Sequence, residues 1–95
     1  MSYIMIQHKV ANYAKWKREV KAFAPFRKAS GEKSLHVCRG SKSPNELLVW
    51  CQWDTAARMK KFIKSGELRK AMAKAGVIGK PVISLYGAME ELSVG

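Results

Sequence analysis

The sequence predicts an α+β fold of the ferredoxin-like βαββαβ type, with a four-stranded antiparallel sheet and helices on one face. Two observations predict it. Runs of β-favouring residues and segments that are apolar at three- and four-residue intervals follow in the order β-α-β-β-α-(α)-β. The first and third strands, which are central in this topology, are apolar on both faces. Because 95 residues allow one hydrophobic core, we expect a single domain over residues 1–95.

The first half of the chain is expected to form a strand, a helix and a second strand. Residues Tyr3–Lys9 alternate as a strand, and Asn12 is placed to cap the helix that follows. The apolar stripe of that helix, expected in the core, consists of Tyr13, Trp16, Val20 and Phe23. Pro25 removes a helical donor, so it should kink the helix or split off its last turn before Gly31 ends it. The second strand is Lys33–Gly40.

The second half begins with the third strand, Glu46–Asp54, which forms a hairpin with the second. Asp54 is expected to cap the next helix. The buried side of that helix is marked by Ala57, Met59, Phe62 and Ile63. A short helix is expected over Glu67–Lys74, and the last strand over Pro81–Gly87, with its proline at the start, where no ladder bond is lost.

The third strand has no polar face. One alternating set of its side chains is Leu47, Val49, Cys51 and Trp53. The other set contains Leu48 and Trp50, so Trp50 and Trp53 are expected on opposite faces. The helices of one chain cover only one face of a sheet, and an uncovered apolar face marks a contact surface. The simplest solution is a homodimer whose two sheets pack face to face into a barrel-like core.

The formal net charge of +11 invites a nucleic-acid partner. However, the basic residues are spread over three predicted helices with no run longer than two, which favours solvated helix faces. RNA-recognition modules of the same topology carry a basic-Gly-aromatic-small-aromatic motif on the third strand. Residues 47–53 contain no Gly, Lys or Arg. The sequence therefore argues against nucleic acid, and RNA binding remains the weaker alternative.

The expected location follows from the absence of a membrane-spanning segment and of a secretory signal. No window approaches the ~18 apolar residues that span a membrane, and the N-terminus lacks the basic start and apolar run of a secretory signal. We therefore expect a cytoplasmic protein without a membrane partner.

Cys38 and Cys51 are expected as free, buried thiols in a reducing compartment. The spacing of the two cysteines and two histidines gives no support for a metal site.

Three parts of the chain resemble a known family. They are His8-Lys9-Val10-Ala11-Asn12-Tyr13 with Trp16 beyond it, Trp53-Asp54, and Ser65-Gly66-Glu67-Leu68-Arg69-Lys70-Ala71-Met72 continuing to Ala75-Gly76-Val77 and Pro81. Together they span nearly the whole chain and resemble the antibiotic biosynthesis monooxygenase-like (ABM) family of dimeric α+β barrel proteins. The resemblance implies a homodimer in which each subunit holds a small-molecule cavity between its sheet and its helices.

The resemblance also implies a chemistry. Members of this family include oxygenases that oxidise phenolic or quinone-like compounds without metal or flavin, which implies an oxidoreductase with no cofactor and a small aromatic ligand. A non-catalytic ligand-binding or stress-associated barrel is the alternative. Haem-degrading relatives carry a histidine on the later helix. This chain has no histidine after His36, so the resemblance does not extend to them.

Four residues are candidates for the site. His8, at the end of a central strand, is the candidate catalytic base because imidazole exchanges a proton near neutral pH; the alternative is a structural histidine. Trp50 is a candidate flat wall for a ligand, with a core or dimer contact as the alternative. Tyr86, on the last strand, is a candidate hydrogen-bond partner for a phenolic ligand, and the alternative is a tyrosine whose ring packs while its hydroxyl reaches the rim. His36, on the predicted edge strand, is a candidate ligand-binding residue, and a solvent-facing or dimer-contact role is the alternative.

Overall fold

The computed structural model describes all 95 residues and contains four strands and four helices. In chain order they are β1 (Ser2–Val10), α1 (Tyr13–Ala22), α2 (Ala24–Ser30), β2 (Glu32–Arg39), β3 (Glu46–Trp53), α3 (Ala56–Ile63), α4 (Gly66–Lys74) and β4 (Val77–Tyr86). The strands form one antiparallel sheet in the order β2-β3-β1-β4, so β1 and β3 are central. This confirms the predicted ferredoxin-like fold. None of the helices has the length and apolar character needed to cross a membrane.

One face of the sheet packs against the helices and forms the core. Its buried cluster consists of Ile4, Ile6, Val10, Trp16, Leu47, Val49, Cys51, Trp53, Met59, Phe62 and Ala75. Trp53 is completely buried, and Trp16 of α1 is buried as predicted. The alternating set of β3 that ends at Trp53 is therefore the one that meets the helices of its own chain.

The other face, here called the open face, is not covered by the helices. The strand register places on it Tyr3, Met5, Gln7, Ser34, His36, Cys38, Leu48, Trp50, Gln52, Val82, Ser84 and Tyr86. Trp50 and Trp53 thus lie on opposite faces, as predicted. Apolar side chains are exposed here, with Leu48 at 37% and Val82 at 57%.

The helix pair before β2 follows from its capping residues and its proline. Asn12 caps α1, since its Oδ1 accepts a hydrogen bond from the Lys15 N–H at 3.0 Å. Pro25 lies in the first turn of α2, where its missing N–H removes no helical bond. The expected split of the helix at Pro25 is confirmed. Gly31, with a φ of 120°, ends α2.

The structure corrects the predicted cap of the third helix and the predicted start of the last strand. Thr55 rather than Asp54 caps α3, because the Thr55 hydroxyl accepts a hydrogen bond from the Arg58 N–H at 3.2 Å. Asp54 instead forms an ion pair with the Arg58 guanidinium. The last strand begins at Val77, so Pro81 lies inside it rather than at its start. Pro81 falls where the pairing of β1 with the edge strand β4 is irregular, so its missing N–H breaks no regular ladder.

The two cysteines are free, as expected, but only Cys51 is buried. Cys51 pairs opposite Leu35 on the helix-facing side, whereas Cys38 pairs opposite Leu48 on the open face. The prediction of two buried thiols is therefore wrong for Cys38. The cause is its place on an edge strand, where an open-face side chain has a neighbouring strand on one side only.

Two glycines provide a matched test of the fold. Gly31 has a positive φ and lies against the Asp54 carboxylate, so an added Cβ would strain the backbone and collide with that side chain. Gly31→Ala is expected to lower the free energy of unfolding by about 1–3 kcal/mol. Gly66→Ala, in open space at the start of α4, is expected to raise it by about 0.5–1 kcal/mol. Urea unfolding measures both changes, and a Gly31→Ala variant as stable as the wild type would contradict the predicted loss.

Candidate functional site

A cavity of about 70 Å³ lies between the helix-facing side of the sheet and the helices. Fifteen of its 19 lining residues are hydrophobic. Pockets for drug-sized ligands are larger, roughly 300–1,000 Å³, so a multi-ring ligand requires the helices to move outward. The helix α4 supplies several lining residues and contains no fully buried side chain. It is therefore the helix least held by packing and the one best placed to move.

Four buried side-chain atoms of the chain lack a hydrogen-bond partner in the protein. They are Nδ1 and Nε2 of His8, Nε of Arg27 and Nε1 of Trp53. All three residues line the cavity. An unpaired buried donor or acceptor costs about 1–3 kcal/mol, so such groups are rare unless a ligand or water satisfies them. The buried side-chain atoms that lack a partner thus belong to residues around one apolar cavity.

A buried ion pair lies at one end of this cavity. Arg27 of α2 pairs through Nη1 with the carboxylate of Glu32, the first residue of β2, and their side chains are only 11% and 8% exposed. The Nη2 of Arg27 donates to the Val20 carbonyl at 2.7 Å. Glu32 is paired in register with Trp53 of β3. The short turn at Gly31 therefore brings Arg27 and Glu32 together beside Trp53 at one end of the cavity.

Burial changes the acid–base properties of this end. Burial in the apolar surroundings raises the pKa of the Glu32 carboxyl, and attraction to the Arg27 guanidinium offsets part of the rise. Burial and the nearby Glu32 charge also raise the pKa of the Cys51 thiol strongly. Cys51 therefore remains a protonated thiol beside Glu32, and it has none of the thiolate character that a nucleophile needs.

His8 lies on the helix-facing side of β1 and borders the cavity, with its ring 5.9 Å from that of Trp16. Burial lowers the pKa of its imidazole, so His8 is neutral at physiological pH and has a free lone pair for a proton. This placement is compatible with the role of base. The catalytic role itself remains a prediction.

The two polar ends of the cavity are far apart. His8 pairs opposite Leu47, whereas Ile4 pairs opposite Cys51, beside Glu32. Four residues along a strand correspond to about 13 Å. His8 and the Arg27–Glu32 pair therefore cannot act on the same ligand atom. A ligand that contacts both must carry polar groups at two separate positions.

The other three predicted site residues do not line this cavity. Trp50, His36 and Tyr86 all lie on the open face, and the rings of His36 and Trp50 stack with centroids 4.0 Å apart. Tyr86, opposite Tyr3 at the sheet edge, is half exposed. Their faces were not assigned by sequence, and the strand register separates them from His8. A ligand role for them is a prediction that would need a second site on the open face.

Arg27 and Glu32 were missed by the sequence analysis. One signal was available for Arg27. It continues the apolar stripe of the first helix by a four-residue step beyond Phe23, and a charged residue in a buried stripe needs a partner. Nothing comparable marks Glu32. No group of three or more His, Cys, Asp or Glu side chains is arranged to hold a metal ion.

The burial of His8 predicts a pH dependence of stability. Because the folded state lowers the pKa of this imidazole, the unfolded chain binds more protons below the ordinary value of 6.5. The contribution of His8 is thus fully present above pH 6.5 and is lost as the pH falls towards the lowered value. The wild type should lose more stability than His8→Leu between about pH 8 and pH 5, measured by urea unfolding. Equal losses in both proteins would argue against a buried neutral imidazole.

Solved structures of other proteins share this fold. No protein-family model matches the chain, and no curated protein matches its sequence. SnoaB, a cofactor-independent oxygenase from Streptomyces nogalater, matches with a TM-score of 0.76 and 13% identity, over 96% of this chain and 95% of SnoaB. A proposed antibiotic biosynthesis monooxygenase from Caulobacter crescentus matches with a TM-score of 0.72 and 20% identity, over 94% of this chain and 90% of its own. Another from Deinococcus radiodurans matches with a TM-score of 0.65 and 15% identity, over 100% of this chain and 99% of its own.

Identities of 10–20% together with nearly complete coverage of both chains establish a shared architecture. They confirm the fold that the residue motifs implied, and they do not carry an activity with them. The chain has the fold of the antibiotic biosynthesis monooxygenases, the family that its sequence resembles.

Proposed function

We propose that this protein binds a small aromatic or quinone-type molecule between its sheet and helices and oxidises it as a cofactor-independent monooxygenase. The observation that carries the proposal is the set of unpaired polar atoms of His8, Arg27 and Trp53 in a mostly apolar cavity. Apolar walls suit a planar ring, and the polar atoms suit oxygen substituents at its two ends. The shared fold with SnoaB, a cofactor-independent oxygenase, supports the reaction type.

Such a reaction asks little of the protein beyond binding, ionisation and exclusion of water. When an anthrone methylene is oxidised by O₂ to a carbonyl, one oxygen atom enters the product and the other leaves as water. The substrate supplies all the electrons and both hydrogens of that water. The substrate must first be deprotonated, because its anion reduces oxygen more readily than the neutral form. In this arrangement the neutral imidazole of His8 hydrogen-bonds an oxygen at its own end of the ligand.

Oxygen uptake and ligand binding together test the proposal. Hydroquinones and anthrones are added to the protein, oxygen is followed with an electrode, and binding is followed by tryptophan fluorescence, since two of the three tryptophans, Trp16 and Trp53, line the cavity. We expect both saturable binding and oxygen uptake above the rate without protein. Neither binding nor uptake with any compound would overturn the proposal. Unchanged uptake in His8→Gln would remove His8 from the mechanism.

A non-catalytic ligand-binding barrel is the second candidate. The cavity volume of about 70 Å³ favours it, because this space is small for a multi-ring substrate. The same experiment separates the two functions. Saturable binding without oxygen uptake would support a binding protein, and uptake that saturates with substrate would support the oxygenase.

We propose further that the protein is a homodimer joined through its open faces. Trp50 and Leu48 lie at the centre of this face, with Val82 and Tyr86 towards its edge. An apolar surface of this kind on two copies of one sheet permits face-to-face packing. The mass in solution at micromolar concentration, measured by light scattering, tests the proposal. We expect twice the 10.7 kDa of one chain, and a mass of 10.7 kDa would overturn it.

A further inference from the structure

The cavity contains one deeply buried carboxylate, and its surroundings are unusual for a purely structural ion pair. Two carboxylates line the cavity, but Glu19 pairs with Lys74 at 3.7 Å and is less buried. Glu32 has a side chain only 8% exposed and shares its end of the cavity with Arg27 and Trp53. A buried ion pair contributes little net stability compared with apolar residues of the same volume. Its presence in a cavity wall therefore calls for another explanation.

Two residues at this end carry buried N–H donors without an acceptor. Arg27 is 91% buried, since its exposed fraction is 9%, and its Nε has no acceptor in the protein. Trp53 is completely buried, and its Nε1 also has no acceptor. Glu32 and Trp53 are directly paired neighbours on adjacent strands, so their Cβ atoms lie about 5 Å apart. This end of the cavity is therefore lined by residues with two unpaired N–H donors and one carboxylate.

We propose that Glu32 is the base that ionises a hydroxyl-bearing ligand, and that Arg27 and Trp53 hold the resulting oxyanion. The ligand class is a small phenol or enol. In the step, the O–H bond of the ligand breaks, its proton moves to the Glu32 carboxylate, and the electron pair remains on the oxygen. The Nε–H of Arg27 and the Nε1–H of Trp53 then donate to that oxygen. This inference rests on the proposed function because it requires a ligand in the cavity.

Charge balance explains why an ion pair suits this step. Before proton transfer, the Arg27 guanidinium is balanced by the Glu32 carboxylate. Afterwards Glu32 is neutral, and the same guanidinium is balanced by the ligand oxyanion. The buried net charge does not change, so the transfer avoids the large cost of creating an uncompensated charge in an apolar site. The raised pKa of the Glu32 carboxyl brings the base closer to the pKa of a phenol or enol and lowers the cost of the transfer further.

The inference predicts that binding takes up a proton while the bound ligand is nonetheless ionised, and the visible absorbance of 4-nitrophenolate reports the second part. Above the pKa of the ligand, the free ligand is an anion, and its binding beside Glu32 must bring one proton into the site. With 4-nitrophenol as the probe, affinity should fall about tenfold per pH unit above the pKa of the probe. Calorimetry in buffers of different ionisation enthalpy should show uptake of about one proton. Binding without proton uptake would overturn the inference.

The variant Glu32→Gln should reverse this dependence. It leaves the Arg27 charge without a counterion, so the variant should bind the 4-nitrophenolate anion, take up no proton, and keep its affinity above the pKa of the probe. Oxygen uptake with an anthrone should fall about 10²–10⁴-fold near neutral pH and recover as the pH rises and the substrate ionises in solution. A wholly structural Glu32 would give no such recovery.

Controls separate this inference from the proposed function. His8→Gln should retain the proton uptake on probe binding, which excludes His8 as the acceptor. Trp53→Phe removes the indole N–H together with part of the buried ring system, and it should weaken probe binding while retaining the uptake. If the wild type binds neither the probe nor an anthrone, the proposed function fails. If the wild type binds and oxidises an anthrone but Glu32→Gln has the same pH profile, only the assignment of Glu32 fails.

Discussion

Replacing Arg27 with methionine is expected to lower the free energy of unfolding by about 3–5 kcal/mol at neutral pH. The substitution keeps a long apolar stem but removes the counterion of Glu32, whose side chain is 8% exposed. It also leaves the Val20 carbonyl without the donor that now lies at 2.7 Å. The carboxylate must then be neutralised or remain as an unpaired charge in an apolar cavity, and both states cost free energy.

The free energy of unfolding that Arg27→Met loses should depend on pH. The folded state of the wild type already raises the pKa of the Glu32 carboxyl above its ordinary value of 4.5, and loss of the Arg27 guanidinium raises it further. A raised acid pKa means that the folded state binds more protons than the unfolded chain. Stability is therefore retained below pH 4.5 and lost as the pH rises through the raised value. The deficit of Arg27→Met should be small near pH 4 and large near pH 7.

A double variant identifies the unpaired charge as the cause. Arg27→Met combined with Glu32→Gln leaves no buried charge, so it should recover most of the stability that the single variant loses. Arg58→Met is the matched control, because its ion pair with Asp54 is partly exposed, with side chains 48% and 23% exposed. It should cost less than about 1 kcal/mol. A deficit of Arg27→Met that is independent of pH and unchanged in the double variant would refute this explanation.

The fold was predictable because its decisive signals are local. The doubly apolar pattern of Glu46–Trp53 identified a central strand, and Asn12 and Pro25 marked a helix start and a break that the structure confirms. Each of these depends on residues within a few positions along the chain. The resemblance to the monooxygenase family pointed to the same topology, and the solved structures agree with it.

The site was less predictable because it depends on which strand face meets the helices. Period-two alternation showed that Trp50 and Trp53 are on opposite faces, but it could not show which of them faces the cavity. The Arg27–Glu32 pair joins a helix to a strand through the turn at Gly31, and its burial depends on the packing of the whole layer. Arg27 resembled the other 17 Lys and Arg residues in composition, and only its position in the apolar stripe distinguished it.

Dimerisation through the open face predicts that Leu48→Glu will convert a dimer into a monomer. Leu48 lies on the central strand β3, is 37% exposed in the single chain, and points away from the helices. In a two-fold symmetric interface each substitution occurs twice, so two carboxylates would be placed in the apolar contact. We expect the dissociation constant to rise at least 100-fold, about 2.7 kcal/mol. Analytical ultracentrifugation over a range of concentrations measures this change.

A control with the same change of charge tests whether the location of the carboxylate matters. Ala14→Glu introduces one carboxylate per chain on the exposed side of α1, away from the open face, and should leave the dimer intact. The Leu48 side chain is not part of the buried cluster of the single chain. Leu48→Glu should therefore retain the wild-type circular dichroism spectrum and cooperative unfolding while losing the partner. A folded Leu48→Glu variant with the dissociation constant of the wild type would show that the open face is not the interface.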